Sequence, residues 1–200
     1  MKLLVATGNP GKLNEFRTLL SDLDVEWVSL KDVGLEGMEI EETGATFAEN
    51  ASLKARVYCD ASGVITLADD SGLVVDALNG APGIYSARYG APEIKTDIER
   101  YEKVLKEIEN VPDEKRTARF ICMVAVATPD GKSFIAEGRF EGRLARAPRG
   151  ENGFGYDPIF ITADGRTSAE LPPEEKNRIS HRGRALQAIK PILMRLVKSE

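Results

Sequence analysis

Two adjacent carboxylates, Asp69 and Asp70, follow the apolar run 64–68 and precede Ser71-Gly72. Paired acids beside an apolar run are costly to bury unless cations or a metal match them. Successive side chains on a strand point to opposite faces, so at most one of the pair faces a given site. A carboxylate at a strand end suits holding Mg²⁺, deprotonating a water, or both. A turn with two exposed acids is the competing reading. Glu41-Glu42-Thr43-Gly44 supplies further acid in a loop, and hard oxygens from it and from Asp70 would suit Mg²⁺. The alternative there is a solvated acidic loop.

A second candidate is Thr7-Gly8-Asn9-Pro10-Gly11-Lys12. A strand-loop-helix junction aims free N–H groups at one point, and the helix dipole adds positive potential. Gly8 and Gly11 let an anion approach the backbone, and Lys12 adds a mobile cation. The GxxxxGK[ST] spacing of a Walker loop is absent. In Gly153-Phe154-Gly155-Tyr156-Asp157, glycines flank an aromatic and leave a ring face open for stacking on a planar base. A core Phe in a tight turn is the alternative. Ser180-His181-Arg182 places two donors at a helix start, and Arg182 can give two hydrogen bonds to a base edge. Lys176 alone reads as a surface residue.

These candidates need elements to hold them. Residues 3–6 read as a buried strand, Asn9 as a helix N-cap with Pro10 in first helical position, and 12–20 as a helix. Residues 25–30 read as a second strand and 31–45 as a loop. Thr46 and Glu49 have capping-box spacing and start a helix to about Ser62. Residues 64–68 read as a strand that runs into Asp69-Asp70-Ser71-Gly72, 73–78 as strand-like again, 79–92 as a long loop, and 97–108 as a helix. Residues 116–146 read as an antiparallel hairpin turning at 128–132, inserted between α/β segments. Residues 157–161 form a short strand, and 172–178 a polar loop or single helical turn. Ser180 caps a last helix that Pro191 should kink or interrupt.

The chain has 200 residues, 42% hydrophobic and 30% charged, which fits one globular domain folded into two lobes. A net charge of −5 and the lack of a basic stripe argue against a nucleic-acid partner. Cys59 and Cys122 match no metal-ligand spacing and suggest a reducing compartment. The single histidine excludes sites built from several imidazoles. No apolar run approaches about 18 residues and no secretory pattern opens the chain, so the expectation is cytoplasm, with no membrane partner.

Taken together, TGNPGK (7–12), EETG (41–44), TFAENA (46–51), LADDSG (67–72), GAPGIYSARY (80–89), FGYDPIF (154–160) and SHRGRAL (180–186) resemble the Ham1-like inosine/xanthosine triphosphate pyrophosphatase family. Seven motifs in this order span nearly the whole chain. The resemblance implies an α/β fold: a mixed elongated central sheet, flanking helices, and two lobes around an active-site cleft, with the 116–146 hairpin in one of them. It implies cleavage of non-canonical purine nucleoside triphosphates (ITP, dITP, XTP) to monophosphate and pyrophosphate, with Mg²⁺, by a protein that is usually a homodimer. By the same resemblance, Thr7, Gly8, Asn9, Pro10, Gly11 and Lys12 hold phosphates. Glu41 and Asp70 bind metal, Asp70 also activates water, and Ser71 touches substrate. Phe154, Gly155, Tyr156, Asp157, Lys176, His181 and Arg182 hold the base and nearby phosphate. The pattern leaves the role of Asp69 open: ligand, base or structural.

Overall fold

The computed structural model describes residues 1–198, Pro10 by its backbone only. Six strands form one sheet: β1 (Lys2–Val5), β2 (Glu26–Ser29), β3 (Ile65–Val75), β4 (Thr117–Ala127), β5 (Ser133–Leu144) and β6 (Phe160–Ile161). Their order is β2-β1-β3-β4-β5-β6. β1 pairs parallel with β2 and β3, and β5 pairs antiparallel with β6. β4 and β5 are neighbours joined across 128–132, a connection short enough only for an antiparallel pair. The sheet is therefore mixed, as expected. Its helices are α1 (Pro10–Leu19), α2 (Phe47–Ser62), α3 (Asp97–Glu107), α4 (Pro173–Ile179) and α5 (His181–Lys198).

The chain packs as two units. The first comprises Met1–Asp70, Cys122–Gly138 and the residues from Arg182 onward. Its strands are apolar on both faces, as parallel strands covered by helices must be. Leu3 and Val5 point to one face and pack with Phe16 and Leu20 of α1 and Leu186 and Ile189 of α5. Leu4 and Ala6 point to the other and pack with Ala51, Ala55 and Tyr58 of α2. The second unit comprises Ser71–Ile121 and Arg139–His181. Its core holds Leu73, Val104, Ile108, Phe120, Phe140 and Phe160. Buried there, the Arg116 guanidinium donates to the carbonyls of Ile108, Leu144 and Ala145, so a charge with no carboxylate bonded to it is still satisfied. The hairpin contributes to both units: residues 122–138 belong to the first, its strand ends to the second.

The helix starts are local chemistry. Asn9 Oδ1 accepts from the Lys12 N–H, and Thr46 with Glu49 closes a complete capping box. Three expectations are corrected. Asp69 and Asp70 stand neither at a strand end nor in a turn; Asp69–Gly72 lies inside the single strand β3. Cations meet its carboxylates, so acid residues fit within a buried strand. Residues 173–179 form a helix, started by Pro173 where a missing N–H costs nothing. Pro191 does not interrupt the last helix, which runs from His181 to Lys198. Ile189 and Leu193 on either side of Pro191 are fully buried, and that packing offsets the lost hydrogen bond.

Candidate active site

The first unit gathers the charged candidates on both faces of β3. Asp69 faces α1 and α5. Lys12 Nζ donates to both its carboxylate oxygens at 3.1 and 2.9 Å. Arg182 Nη2 reaches Asp69 Oδ2 at 3.3 Å, and Arg182 Nη1 reaches Glu15 Oε2 at 2.5 Å. Asp69 and Arg182 are only 3% and 2% exposed. Burial alone would raise the Asp69 carboxyl, but Lys12, Arg182 and Lys54 outweigh it and hold the group well below the usual carboxylate range. The Cys122 thiol lies 3.9 Å from Asp69, and burial with that negative charge pushes it up to about 12. It is an inert neighbour rather than a nucleophile.

Asp70 points the other way, as the period of two requires. Its Oδ2 accepts from Asn50 Nδ2 at 3.2 Å and its Oδ1 lies 3.5 Å from Lys54 Nζ. Burial pushes this carboxyl above its ordinary value against the pull of Lys54. Lys54 also donates to Glu42 Oε1 at 2.7 Å. Although burial disfavours the ammonium, Asp70, Asp69 and Glu42 together raise its pKa. The acidic loop thus meets Asp70 through Glu42, whereas Glu41 is exposed. Asn50 ties the loop down: its Oδ1 accepts the Gly44 N–H at 2.8 Å. A Cβ at Gly44 would lie 2.6 Å from that oxygen, so only glycine permits the approach.

At the start of α1, Thr7 Oγ1 accepts the Asn9 N–H at 3.1 Å. A Cβ at Gly8 would meet no atom within 4 Å, so the space beside this residue is open. Gly11 lies in the first turn of α1, and Ser71 is part-buried on β3.

The second unit holds the aromatic candidates. Phe154 is 38% exposed, and Lys176 Nζ stands 5.0 Å from its ring centroid. Lys176 Nζ also donates to Asp157 Oδ2 at 2.6 Å, and the same oxygen accepts the Phe154 N–H at 2.9 Å. Far from reading as surface, Lys176 is buried. Tyr156 is buried, with its hydroxyl donating to the Ser86 carbonyl at 2.8 Å. His181 is buried and stacks on Phe120, the ring centroids 4.8 Å apart and 15° from parallel.

A match to the Ham1 family model covers residues 3–192. The chain belongs to the Ham1 family. Among similar relatives, the dITP/XTP pyrophosphatase of Corynebacterium diphtheriae is 49% identical, covering 96% of this chain and 97% of that one. The dITP/XTP pyrophosphatase of Symbiobacterium thermophilum is 51% identical over 92% and 91%. Of solved structures, a HAM1 protein from Coxiella burnetii superposes with a TM-score of 0.88 at 44% identity, covering 98% and 99% of the two chains. Within this Ham1 chain, sequence reasoning missed Lys54, Asn50 and Glu15. Asn50 and Lys54 stand four apart on α2, a spacing that puts them on one helical face, and that was the available signal. Glu15 has no such signature.

Proposed function

We propose that this protein hydrolyses dITP, ITP and XTP to the nucleoside monophosphate and pyrophosphate. Magnesium dependence, removal of deaminated purines from the nucleotide pool and a homodimeric assembly belong to the same proposal. The observation that carries it is Asp70, a buried carboxylate beside Glu42 and Lys54, in a chain of this family. The names of relatives about half identical over nearly their full length support the substrate class.

The donor set fits magnesium. Asp70 and Glu42 offer hard oxygens, and two carboxylates leave places for phosphate oxygens and water, the mixture this ion prefers. Glu41, the ligand expected from the motif, is the exposed neighbour. A bound Mg²⁺ would neutralise charge on the phosphates. The chain's own groups do the rest. The α1 N–H groups and Lys12 hold the phosphate tail, which needs neutralisation more than covalent help. Asp70, its basicity raised by burial, takes a proton from the attacking water. Phe154 stacks on the base, and Lys176 and His181 of the same unit supply donors near it. A donor aimed at a 6-oxo acceptor favours hypoxanthine and xanthine, whereas the adenine 6-amino group meets it donor to donor.

Products resolved from a dITP reaction test the proposal. dIMP and pyrophosphate in equal amounts are expected, with little turnover of ATP. Release of single phosphates, or equal rates on ATP, would overturn it.

A further inference from the structure

The turn that presents Phe154 is held by a carboxylate from outside every sequence motif. The Gly155 N–H donates to Asp97 Oδ2 at 2.8 Å, while the Phe154 N–H donates to Asp157 Oδ2 at 2.9 Å. These two N–H groups belong to the peptide planes on either side of the Phe154 Cα. Fixing both planes fixes the backbone dihedrals of Phe154 and the direction in which its side chain leaves. The restraint matters because both neighbours are glycines at positive φ, Gly153 at 80° and Gly155 at 63°, and glycine has the widest backbone freedom. Asp157 is supplied by the turn itself. Asp97 is supplied by α3, immediately after its N-cap.

The support behind Asp97 is firm. Thr96 and Glu99 form a complete capping box around it. Arg100 Nη2 holds its other oxygen at 2.6 Å. Val104, two turns further along α3, is fully buried in the core of the same unit. The carboxylate is thus aimed by a packed helix and by Arg100, although the Asp97 side chain itself is half-exposed.

We propose that Asp97 is a positioning residue for base binding: it fixes the peptide plane between Phe154 and Gly155 and so presents the Phe154 ring as a preorganised stacking platform. Asp97 itself touches no substrate. The proposal rests on the reading that the base stacks on Phe154. The rival role is that of an ordinary first-turn carboxylate, favourable to the helix dipole and without influence on substrate.

The test is a double-mutant cycle on the full chain, read with dITP and MgCl₂ by steady-state kinetics and with inorganic tripolyphosphate by calorimetry. Phe154→Ala is expected to raise KM for dITP about tenfold or more, in line with the cost of losing a base stack. Asp97→Ala should raise it about fivefold with kcat changed less than about twofold, since part of that stack is lost with the clamp. Asp97→Ala/Phe154→Ala should be no worse than Phe154→Ala alone, because the clamp has nothing left to position. Asp97→Asn keeps an acceptor oxygen and should restore KM to within about twofold of the unaltered protein. Tripolyphosphate, which carries no base, should bind all four variants equally. Additive losses, an equal loss of tripolyphosphate binding, or a lower Tm with KM unchanged would each overturn the proposal. If the unaltered protein does not turn over dITP, the proposed function fails. The same cycle on the Kd for dIMP then reads the platform independently.

Discussion

Around Asp69 and Asp70 the molecule concentrates charge: Lys12, Lys54 and Arg182 stand against Asp69, Asp70, Glu15 and Glu42, in a strand and helices packed by the core of the first unit. Around Phe154 it concentrates backbone restraint: two glycines at positive φ, two N–H groups each held by a carboxylate, and a ring left open to solvent. The first arrangement prepares a field, the second a shape. A preorganised field is made of buried charges whose removal disturbs the fold as well as the chemistry. A preorganised shape on an exposed turn involves little burial, so its loss reaches binding first and stability hardly at all. The two regions should therefore answer substitution differently.

The largest effect is expected at Asp70. Asp70→Asn keeps the shape and an oxygen for the Asn50 amide but loses the proton acceptor. Turnover of dITP should fall about 10²- to 10⁴-fold, the usual range for removing a general base, with the circular dichroism spectrum unchanged. Full turnover by this variant would remove Asp70 from the chemistry.

Next comes the buried arginine. Arg182→Met leaves Glu15 and Asp69 without the guanidinium that bridges them; breaking a buried pair costs about 3–5 kcal/mol when the remaining charge has no other partner, and the loss here should be about half that because Lys12 still holds Asp69. Urea unfolding should show that loss as a lower midpoint at unchanged slope. Phe154→Ala, on the other side of the comparison, should lose less than about 1 kcal/mol, since its ring is exposed. Equal losses at the two positions would erase the distinction between field and shape.

How far the sequence foretold this depends on the range of the interactions. Asn9, Thr46 and Glu49 act on neighbours within four residues, so local sequence was enough to locate the starts of α1 and α2. The opposite facing of Asp69 and Asp70 was legible from strand periodicity. Their placement inside one strand was not, because Asp-Asp-Ser-Gly has turn composition and only distant cations make it tolerable in a buried sheet. Lys54 meets Glu42 across 12 positions, from helix to loop, a contact with no local signature. Asp97 lies 58 positions before the amide it holds, and Glu15 167 before the arginine it binds. That Pro191 does not interrupt α5 has the same reason: helix-breaking propensity is local, whereas the burial of Ile189 and Leu193 is not.

The smallest effect is one of pH, and it sharpens the comparison further. Lys12 and Arg182 keep Asp69 ionised in the folded protein below the range where a free aspartate takes up its proton, about 4. A carboxyl depressed on folding stabilises the fold in full above its unfolded pKa. That contribution is withdrawn as pH falls from about 4 toward the folded value. Removing it by Asp69→Asn should make the variant much less stable than the unaltered protein at neutral pH. As pH falls below about 4 the gap should narrow, by at most about 1.4 kcal/mol per pH unit for a single proton. Urea midpoints measured between pH 3 and 7 give the gap directly. Phe154→Ala removes no titratable group, so its own gap provides a reference against which narrowing is judged. A gap for Asp69→Asn that stays as constant as the reference would mean that Asp69 contributes shape rather than charge, and the charged cluster would then resemble the aromatic turn.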